Sequence, residues 1–325
     1  MNNKTMVVIC ALCILILGGI ALFYESNHIM AAKVTYEPLQ KVKIGYRPQL
    51  FYLPAYVAKA EGYYRAQGLD AELVSFESTN QLVDAILNGN IDAGVGGVNI
   101  LVPLTIEDKS PGQLKIFDLT YFHKEFDALL VAKNSSITKV SDLKGKTIST
   151  LPGTAANFWM KSMLEKENLT GQVKVVETNP SQQLAALASG SVDAIYVLEP
   201  LATTGIEKGI ARVLVESPIS TYFMDNMLFD TSVFSTKFVN EHPDTAKKII
   251  AAVDEAIESI NADPVKARRY YPEFSPVDNA TAEKLPVTEY VTSDSMNATA
   301  LQVVADKFAE TGAIKKVEVG PMLYR

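Results

Sequence analysis

Short apolar runs alternate with amphipathic segments of helical period along most of this chain. Between about residues 41 and 215 the apolar runs have the length of strands, and the segments between them have the spacing of helices that pack on a sheet. This alternation predicts an α/β fold whose parallel or mixed sheets are covered on both faces. The predicted strands are 41–46, 71–76, 91–96, 114–120, 126–131, 147–150, 173–176, 193–198 and 211–215. The predicted helices are 54–67, 79–88, 98–107, 154–167, 181–189 and 199–208, followed beyond residue 234 by 243–261, 264–271 and 295–311.

One phrase of this pattern occurs twice. Residues 81–93 read QLVDAILNGNIDA, and residues 182–194 read QQLAALASGSVDA. Each copy predicts an amphipathic helix that a glycine ends, followed by a short apolar strand. Copies this far apart indicate two similar α/β lobes with a cleft between them, where small ligands bind. We expect the bridges between the lobes near residues 131–136 and 215–222.

The first residues predict export from the cytoplasm. Asn2, Asn3 and Lys4 precede an apolar run from Met6 to Phe23. This is the pattern of a cleaved signal peptide or of a retained N-terminal membrane anchor, and the sequence leaves both open. The expected organisation is a signal or anchor over residues 1–32, a first lobe over 40–132 plus 220–325, and a second lobe over 133–219.

Cysteine content and charge limit the chemistry of the exported part. The two cysteines, Cys10 and Cys13, both lie within the apolar run, so the rest of the chain has no disulfide and no thiolate nucleophile. The three histidines are scattered and form no metal-ligand pattern. The net charge of −7 and the absence of a basic run argue against a nucleic-acid partner. We therefore expect neither a cofactor nor a metal.

Residues 51–73 and several later motifs resemble one family, the solute-binding proteins of ABC importers for nitrate, taurine, alkanesulfonates and thiamine precursors. The similarity extends over about residues 40–240. It implies a two-lobe type II periplasmic-binding-protein fold, the Venus-flytrap architecture, with the C-terminal helices packed on lobe 1. It also implies a monomer that binds a small molecule and docks on importer membrane subunits. The residues that carry it are Pro54, Ala58, Gly62, Tyr64, Gly68 and Leu69, then 85–94, 140–148, Gly153-Thr154, Asp193-Ala194 and Glu199-Pro200.

In open α/β sheets, ligands lie beyond the carboxyl ends of the strands, which places several loops at the predicted cleft. Arg47 could pair with an acid group or lie solvated in its loop, and Phe51 and Tyr52 could wall a ligand or belong to the core. Glu77 and Ser78 precede a helix, where Ser78 is equally suited to be an N-cap. The glycines at 96 and 97 would let the backbone approach a ligand, next to a polar side chain at 99. These first-lobe candidates are Arg47, Phe51, Tyr52, Glu77, Ser78, Gly96, Gly97, Asn99 and Tyr121.

The second lobe offers a matching set. The turn before the helix at residue 154 mirrors the turn before the helix at residue 54, and its threonine could cap the helix or donate to an oxyanion. The candidates are Gly153, Thr154, Asn157, Tyr196 and Glu199, with Tyr222 on the second bridge. Arg47 favours an anionic solute, whereas the aromatic and acidic candidates favour a heterocycle or an amine, and a zwitterion would satisfy both.

The expected function is that of an exported solute-binding protein that delivers a small anionic or zwitterionic solute, of the sulfonate, taurine or nitrate class, to an ABC importer by hinge closure. A thiamine-precursor-like heterocycle and a sensory ligand-binding domain are the alternatives. The resemblance extends to two kinds of enzyme. Desulfinases of aromatic sulfinates need a cysteine nucleophile, and yeast-type pyrimidine synthases resemble an iron- and histidine-dependent protein with a cysteine-rich motif. The expected exported part has neither the cysteine nor the motif, and an α/β-hydrolase nucleophile elbow is also absent from the sequence. We therefore expect no catalysis.

Overall fold

The computed structural model describes residues 38–324, and the predicted signal or anchor lies outside this range. The strands are β1 Gln40–Tyr46, β2 Leu69–Ser75, β3 Ala93–Asn99, β4 Leu114–Phe122, β5 Asp127–Ala132, β6 Thr147–Thr150, β7 Lys174–Glu177, β8 Ala194–Leu198, β9 Ala211–Glu216, β10 Met227–Ser235 and β11 Tyr290–Val291. The helices are α1 Leu53–Ala60, α2 Tyr63–Ala66, α3 Thr79–Leu87, α4 Leu101–Lys109, α5 Thr154–Lys166, α6 Pro180–Ala188, α7 Leu201–Glu207, α8 Pro218–Tyr222, α9 Thr236–Glu241, α10 Pro243–Ala262, α11 Pro264–Ala267, α12 Tyr271–Phe274, α13 Asn279–Ala282 and α14 Ala298–Glu310. None of the helices in this range is both long and apolar enough to cross a bilayer.

The strands form two mixed sheets, one in each lobe. The first has the order β11-β4-β10-β3-β1-β2, and the second has the order β7-β6-β8-β5-β9. In the first sheet β1 is parallel to β2 and β3, while β10 is antiparallel to β3 and β4. In the second sheet β6 is parallel to β7 and β8, while β5 is antiparallel to β8 and β9. The α/β class and the two-lobe type II architecture are confirmed.

The repeated phrase occupies equivalent places in the two sheets. Its copies form α3 and β3 in the first lobe and α6 and β8 in the second. Asp92 accepts a hydrogen bond from the backbone N–H of Lys43 at 2.7 Å, and Asp193 accepts one from the backbone N–H of Thr147 at 2.9 Å. Each aspartate therefore ties the entrance of its strand to the parallel neighbour, β1 or β6. The common Ile/Val-Asp-Ala sequence has the same structural use in both lobes.

The position of β5 differs from the expected lobe boundary. The sequence pattern places residues 127–132 in lobe 1, yet β5 pairs with β8 and β9 in the second sheet. The first crossover therefore spans residues 123–126 rather than 131–136, and the second spans residues 217–226. The length and hydrophobicity of an apolar run do not encode which distant strand it will join, which is why the pattern misplaces it.

The chain returns to the first sheet through β10, a strand that the hydrophobic pattern did not predict. All nine residues of β10 are buried, and the strand lies between β3 and β4 near the middle of the sheet. Because β10 is covered on both faces, it lacks the alternation of polar and apolar residues that marks a half-exposed strand. The burial of β10 matters for the site, because it also buries Asp230, the only charged residue of this strand.

The C-terminal helices pack mainly on the first lobe, as expected. Helix α10 lies against α1 and α2, and α14 lies against β10 and α4. One side chain of α14 also reaches the second lobe, because the Phe308 ring contacts Phe158 and Trp159 of α5 with centroids 5.4 and 5.5 Å apart. The C-terminal helices thus cover the first sheet and join the two lobes behind the cleft.

Candidate functional site

A small cavity lies between the two lobes, beyond the carboxyl ends of β1, β3, β6 and β8. Its volume is about 30 Å³, which is enough for a few water molecules at most. The lobes are therefore closed on each other in this structure. The residues that line the cavity are Arg47, Gln49, Thr79, Asn80, Gly97, Asn99, Val102, Leu151, Pro152, Gly153, Ala155, Ala156, Trp159, Tyr196, Leu198, Phe229 and Asp230.

Arg47 supplies a buried positive charge to the cavity wall. It follows β1 directly and is only 6% exposed. One guanidinium nitrogen, Nη1, donates to the Thr79 hydroxyl at 3.3 Å, and Nη2 donates to the Glu77 carbonyl oxygen at 3.1 Å. Nε has no hydrogen-bond partner among the described residues. A buried guanidinium with a free donor is stabilised by an acceptor brought by a ligand.

Two helices point their N-termini at the cavity from opposite lobes. The first residues of α3, Thr79 and Asn80, line one side, and the first turn of α5 lines the other. Backbone N–H groups in the first turn have no partner inside a helix and carry a partial positive charge. The arrangement therefore favours negative charge between the lobes.

The same two helix ends hold the lobes closed. The side-chain amide of Asn80 donates to the Thr154 hydroxyl at 3.0 Å, and its carbonyl oxygen accepts from the Thr154 backbone N–H at 3.2 Å. This pair, which we call the Asn80–Thr154 latch, lies at the edge of the cavity, where Asn80 is one of the lining residues. It connects the two lobes directly.

The glycine turn at the end of β3 shapes the first-lobe wall. Gly96 has φ of 99°, and a Cβ atom there would lie 2.5 Å from the Phe51 carbonyl oxygen, so only glycine fits. A Cβ atom at Gly97 would lie 2.4 Å from the Tyr52 ring. Gly97 lines the cavity, whereas the N–H of Gly96 donates to the Ser232 hydroxyl at 2.7 Å beneath it. The turn therefore seats the Tyr52 ring against the backbone beside the cavity.

Asp230 is the most informative cavity residue that the sequence pattern did not reveal. It is 2% exposed and faces the same space as Arg47. Burial raises the pKa of its carboxyl well above the usual range, and the nearby Arg47 charge opposes that rise. Asn99 donates to Asp230 Oδ1 and to the Phe229 carbonyl oxygen, each at 3.3 Å. The sequence does carry one signal for this residue, because Asp230 is the only charged residue among the nine residues of β10.

Aromatic side chains complete the wall. Tyr196 of β8 and Trp159 of α5 line the cavity from the second lobe, and Phe229 of β10 lines it from the first. Burial raises the pKa of the Tyr196 phenol well above its ordinary value, and nearby Asp127 adds to the rise. The Tyr196 phenol lies beside Asp127, and the Tyr52 phenol lies near Arg47 and Thr79. Both remain phenols at neutral pH.

Of the residues predicted for the site, Arg47, Gly97, Asn99, Gly153 and Tyr196 meet at this cavity. Tyr52 lies directly behind Gly97, and Thr154 forms part of the latch.

Three further first-lobe candidates have structural contacts outside the cavity. Phe51 packs among Phe122, Phe126 and Phe229, with ring centroids 6.0, 5.0 and 5.4 Å away. Ser78 is the N-cap of α3 and accepts from the N–H of Gln81 at 3.2 Å. The Glu77 side chain is exposed, and only its backbone carbonyl contacts Arg47. In this structure Phe51 therefore packs in the core, Ser78 caps a helix, and Glu77 contacts Arg47 through its backbone alone.

The remaining candidates also point away from the cavity. Tyr121 belongs to β4, and its ring stacks on His123 with the centroids 6.3 Å apart. Asn157 is exposed and donates to Glu177 within the second lobe. The Tyr222 hydroxyl donates to Glu167 at 2.7 Å. Each of these side chains has a partner outside the cleft.

Glu199 lines a second, larger cavity that adjoins the first. This groove has a volume of about 470 Å³ and shares Gln49, Leu151 and Leu198 with the first cavity. The Glu199 carboxylate accepts from the N–H and hydroxyl of Thr203 at 3.0 and 2.9 Å. Burial raises the pKa of this carboxyl to about 7. Most of the other groove residues are apolar: Pro48, Pro180, Leu184, Ala185, Ala188, Pro200, Leu201, Ile210 and Pro276.

The fold and this interlobe cavity define a periplasmic-binding-protein class of molecule. Residues 51–267 match the family model described as NMT1/THI5 like, and the chain belongs to that family. Within the described residues, no cluster of three or more His, Cys, Asp or Glu side chains could hold a metal ion.

The chain is similar to proteins that are named for binding sulfonates or nitrate. It is 24% identical over 328 residues to a putative aliphatic sulfonates-binding protein of Bacillus subtilis, which covers 98% of this chain and 93% of that protein. The alkanesulfonate-binding protein SsuA of Xanthomonas axonopodis pv. citri, solved with MOPS, superposes with a TM-score of 0.70 at 22% identity, over 89% of this chain and 99% of that one. The periplasmic nitrate-binding protein NrtA of Synechocystis PCC 6803 gives 0.65 at 14% identity, over 85% and 83%.

The similarity also extends to enzymes. A 4-amino-5-hydroxymethyl-2-methylpyrimidine phosphate synthase of Saccharomyces cerevisiae is 21% identical over 243 residues, covering 72% of this chain and 70% of that protein. Membership of this family therefore does not distinguish a binding protein from an enzyme, and the distinction has to be argued from the residues of the site.

Proposed function

We propose that this protein is an extracytoplasmic solute-binding protein that carries a small anionic or zwitterionic solute to the membrane subunits of an ABC importer. The main support for the proposal is the buried guanidinium of Arg47, which lines the cavity between the two lobes. Its Nε has no hydrogen-bond partner among the described residues. Isolated buried charge is costly, so the closed form gains stability when a solute supplies the opposite charge.

The helix ends and the latch support hinge closure around this solute. Two helix N-termini face the cavity from opposite lobes, so an anion between them attracts both. A cavity of about 30 Å³ is too small for an organic solute, so the lobes would separate to admit one. Binding would then favour the form in which both lobes contact the solute. The apolar groove next to the cavity is suited to the non-polar part of a longer solute.

The composition of the cavity wall supports a transport role rather than catalysis. Both cysteines lie in the N-terminal apolar run, so a thiolate nucleophile is absent from the cavity wall. The apolar run at residues 6–23 supports export, with the binding domain outside the cytoplasmic membrane. Surfaces of both lobes would then be presented to the importer.

A melting-temperature screen tests the proposal. The full chain, purified in mild detergent, is followed by calorimetry with taurine, alkanesulfonates, nitrate, bicarbonate, pyrimidine thiamine precursors and riboflavin. A solute at 100 times its Kd stabilises the folded chain by about 2.7 kcal/mol. Arg47→Ala should abolish the rise in melting temperature for an acidic solute, because the buried positive charge is lost.

Arg212→Ala is the matched control. Arg212 is a partly buried arginine that donates to the carbonyl oxygens of Ser135 and Ile137 in the second lobe, away from the cavity. It should retain the solute response. A heterocycle that still stabilises Arg47→Ala would move the site to Trp159, Tyr196 and Phe229. A folded chain that responds to none of these solutes would contradict the proposal.

A further inference from the structure

Two buried residues of opposite charge line the cavity from the first lobe. Arg47 follows β1 and Asp230 lies in β10, and they are 6% and 2% exposed. Among the ion pairs that residues 38–324 form, none joins these two side chains. The cavity therefore presents a positive group and an acid that do not neutralise each other by direct contact.

A neighbouring acid shows what a purely structural carboxylate looks like in this sheet. Asp118 of β4 accepts from the backbone N–H of Ser232 at 2.7 Å and also from its hydroxyl. Asp118 does not line the cavity, and its hydrogen bonds lie inside the protein. Asp230 receives one side-chain hydrogen bond among the described residues, from Asn99 at 3.3 Å, and Asn99 shares that amide with the Phe229 carbonyl. Asp230 thus keeps unused acceptor capacity next to the cavity.

The acid beside Arg47 restricts the solute. Burial favours the protonated form of Asp230 when no positive group lies against it. A simple anion pairs with Arg47 but leaves acceptor positions of Asp230 without a donor. A solute that also carries an ammonium group donates to Asp230, favours its ionised form and so satisfies both walls of the cavity.

We propose that the solute is a zwitterion whose acid group pairs with Arg47 and whose ammonium group pairs with Asp230. This inference rests on the proposed function and narrows its solute class to amino sulfonates and amino carboxylates. The ammonium donates to the free acceptor positions of Asp230, and such charge-assisted hydrogen bonds are roughly twice as strong as neutral ones. Asp230 is then the residue that discriminates amine-bearing solutes from plain anions.

Isosteric pairs test the role of the amine. Taurine is compared with 1-propanesulfonate, and β-alanine with butyrate, because in each pair a methyl group replaces the ammonium group. Isothermal titration of the full chain in mild detergent should show the amine-bearing member of at least one pair binding about tenfold more tightly or better. Asp230→Asn should remove that preference by weakening the amine-bearing member, while affinity for the plain anion is kept or improved.

Asp118→Asn is the control, because it removes a buried carboxyl of the same sheet that does not line the cavity. It should keep the preference even where it lowers the melting temperature. Equal affinity within both pairs in the natural protein overturns the inference, and this comparison requires no variant to fold. Failure of all four solutes also overturns it. Binding of nitrate or a heterocycle in that case would leave the proposed solute-binding function standing.

Discussion

Buried acids in this protein differ in what their carboxylates contact. Asp127, the first residue of β5 after the first crossover, accepts from the backbone N–H of Ile219 in the second crossover at 2.9 Å. Asp230 instead faces the cavity beside Arg47. Both carboxyls have raised pKa values because burial penalises the ionised form. One acid therefore belongs to the hinge and the other to the site, although their burial is similar.

The hinge acid makes stability depend on pH. Burial raises the pKa of Asp127 from 3.8 to about 7 in the folded chain. Between these two values the folded chain keeps a proton that the unfolded chain releases. The free energy of unfolding therefore falls as pH rises from about 4 to about 7, with a slope of at most ~1.4 kcal/mol for each pH unit. Above pH 7 this contribution is constant.

Asp127→Asn removes the titration and keeps a carbonyl oxygen for the Ile219 N–H. Urea unfolding at a series of pH values should show that the stability of the natural chain relative to the variant decreases between pH 4 and 7. Titrations common to both proteins cancel in this difference. A difference that stays constant over the whole interval would show that Asp127 ionises normally.

At the scale of elements, the closed form depends on two helices that meet end to end. The N-terminal residues of α3 and α5 form the Asn80–Thr154 latch and also line the cavity. The same residues therefore serve both closure and solute recognition. Because these hydrogen bonds are exposed to water, their net contribution is modest, about 1 kcal/mol each.

Asn80→Ala should shift the ligand-free population toward open forms. Its two latch hydrogen bonds are lost, which should weaken solute affinity by about threefold to tenfold. Small-angle scattering should report a larger radius of gyration without solute. Asn157→Ala is the matched control, because that amide lies on α5 but donates to Glu177 in its own lobe. Equal radii for Asn80→Ala and the natural chain would mean that other contacts hold the lobes closed.

Most elements were predictable because their signals are local. The periodicity found the strands and helices of both repeats, and the repeated Asp-Ala entrance to β3 and β8 followed from it. The pairing of β5 and the insertion of β10 were not predictable, since each depends on strands distant in sequence. Arg47 was recognisable from its place after β1. Asp230 was missed because the strand that carries it was missed.

At the scale of the whole molecule, one aromatic cluster joins the two lobes behind the cleft. Phe158 and Trp159 belong to α5, Phe223 to the second crossover, and Phe308 to α14. The rings of Phe223 and Phe308 stack with centroids 4.8 Å apart. The hydrophobic core therefore continues from the first sheet through this cluster into the second lobe.

Phe308→Ala should destabilise the protein by about 3–5 kcal/mol, because truncating a buried ring leaves a cavity that its neighbours fill only in part. Chemical unfolding followed by far-UV circular dichroism measures this loss. Val303→Ala on the same helix is the control: Val303 is 54% exposed and should change stability by less than about 0.5 kcal/mol. A loss below about 1 kcal/mol for Phe308→Ala would show that the cluster does not join the lobes.

Trp159 is the only tryptophan in the chain, and it lies in both the cavity wall and this cluster. Its indole is therefore a single built-in fluorophore at the place where solute, hinge and C-terminal helix meet. Emission excited near the red edge of protein absorbance comes from this one site, without a label. Stopped-flow traces can then separate the encounter of a solute with the open cleft from the closure that follows. The fluorescence of Trp159 therefore reports directly on whether a solute occupies the cavity.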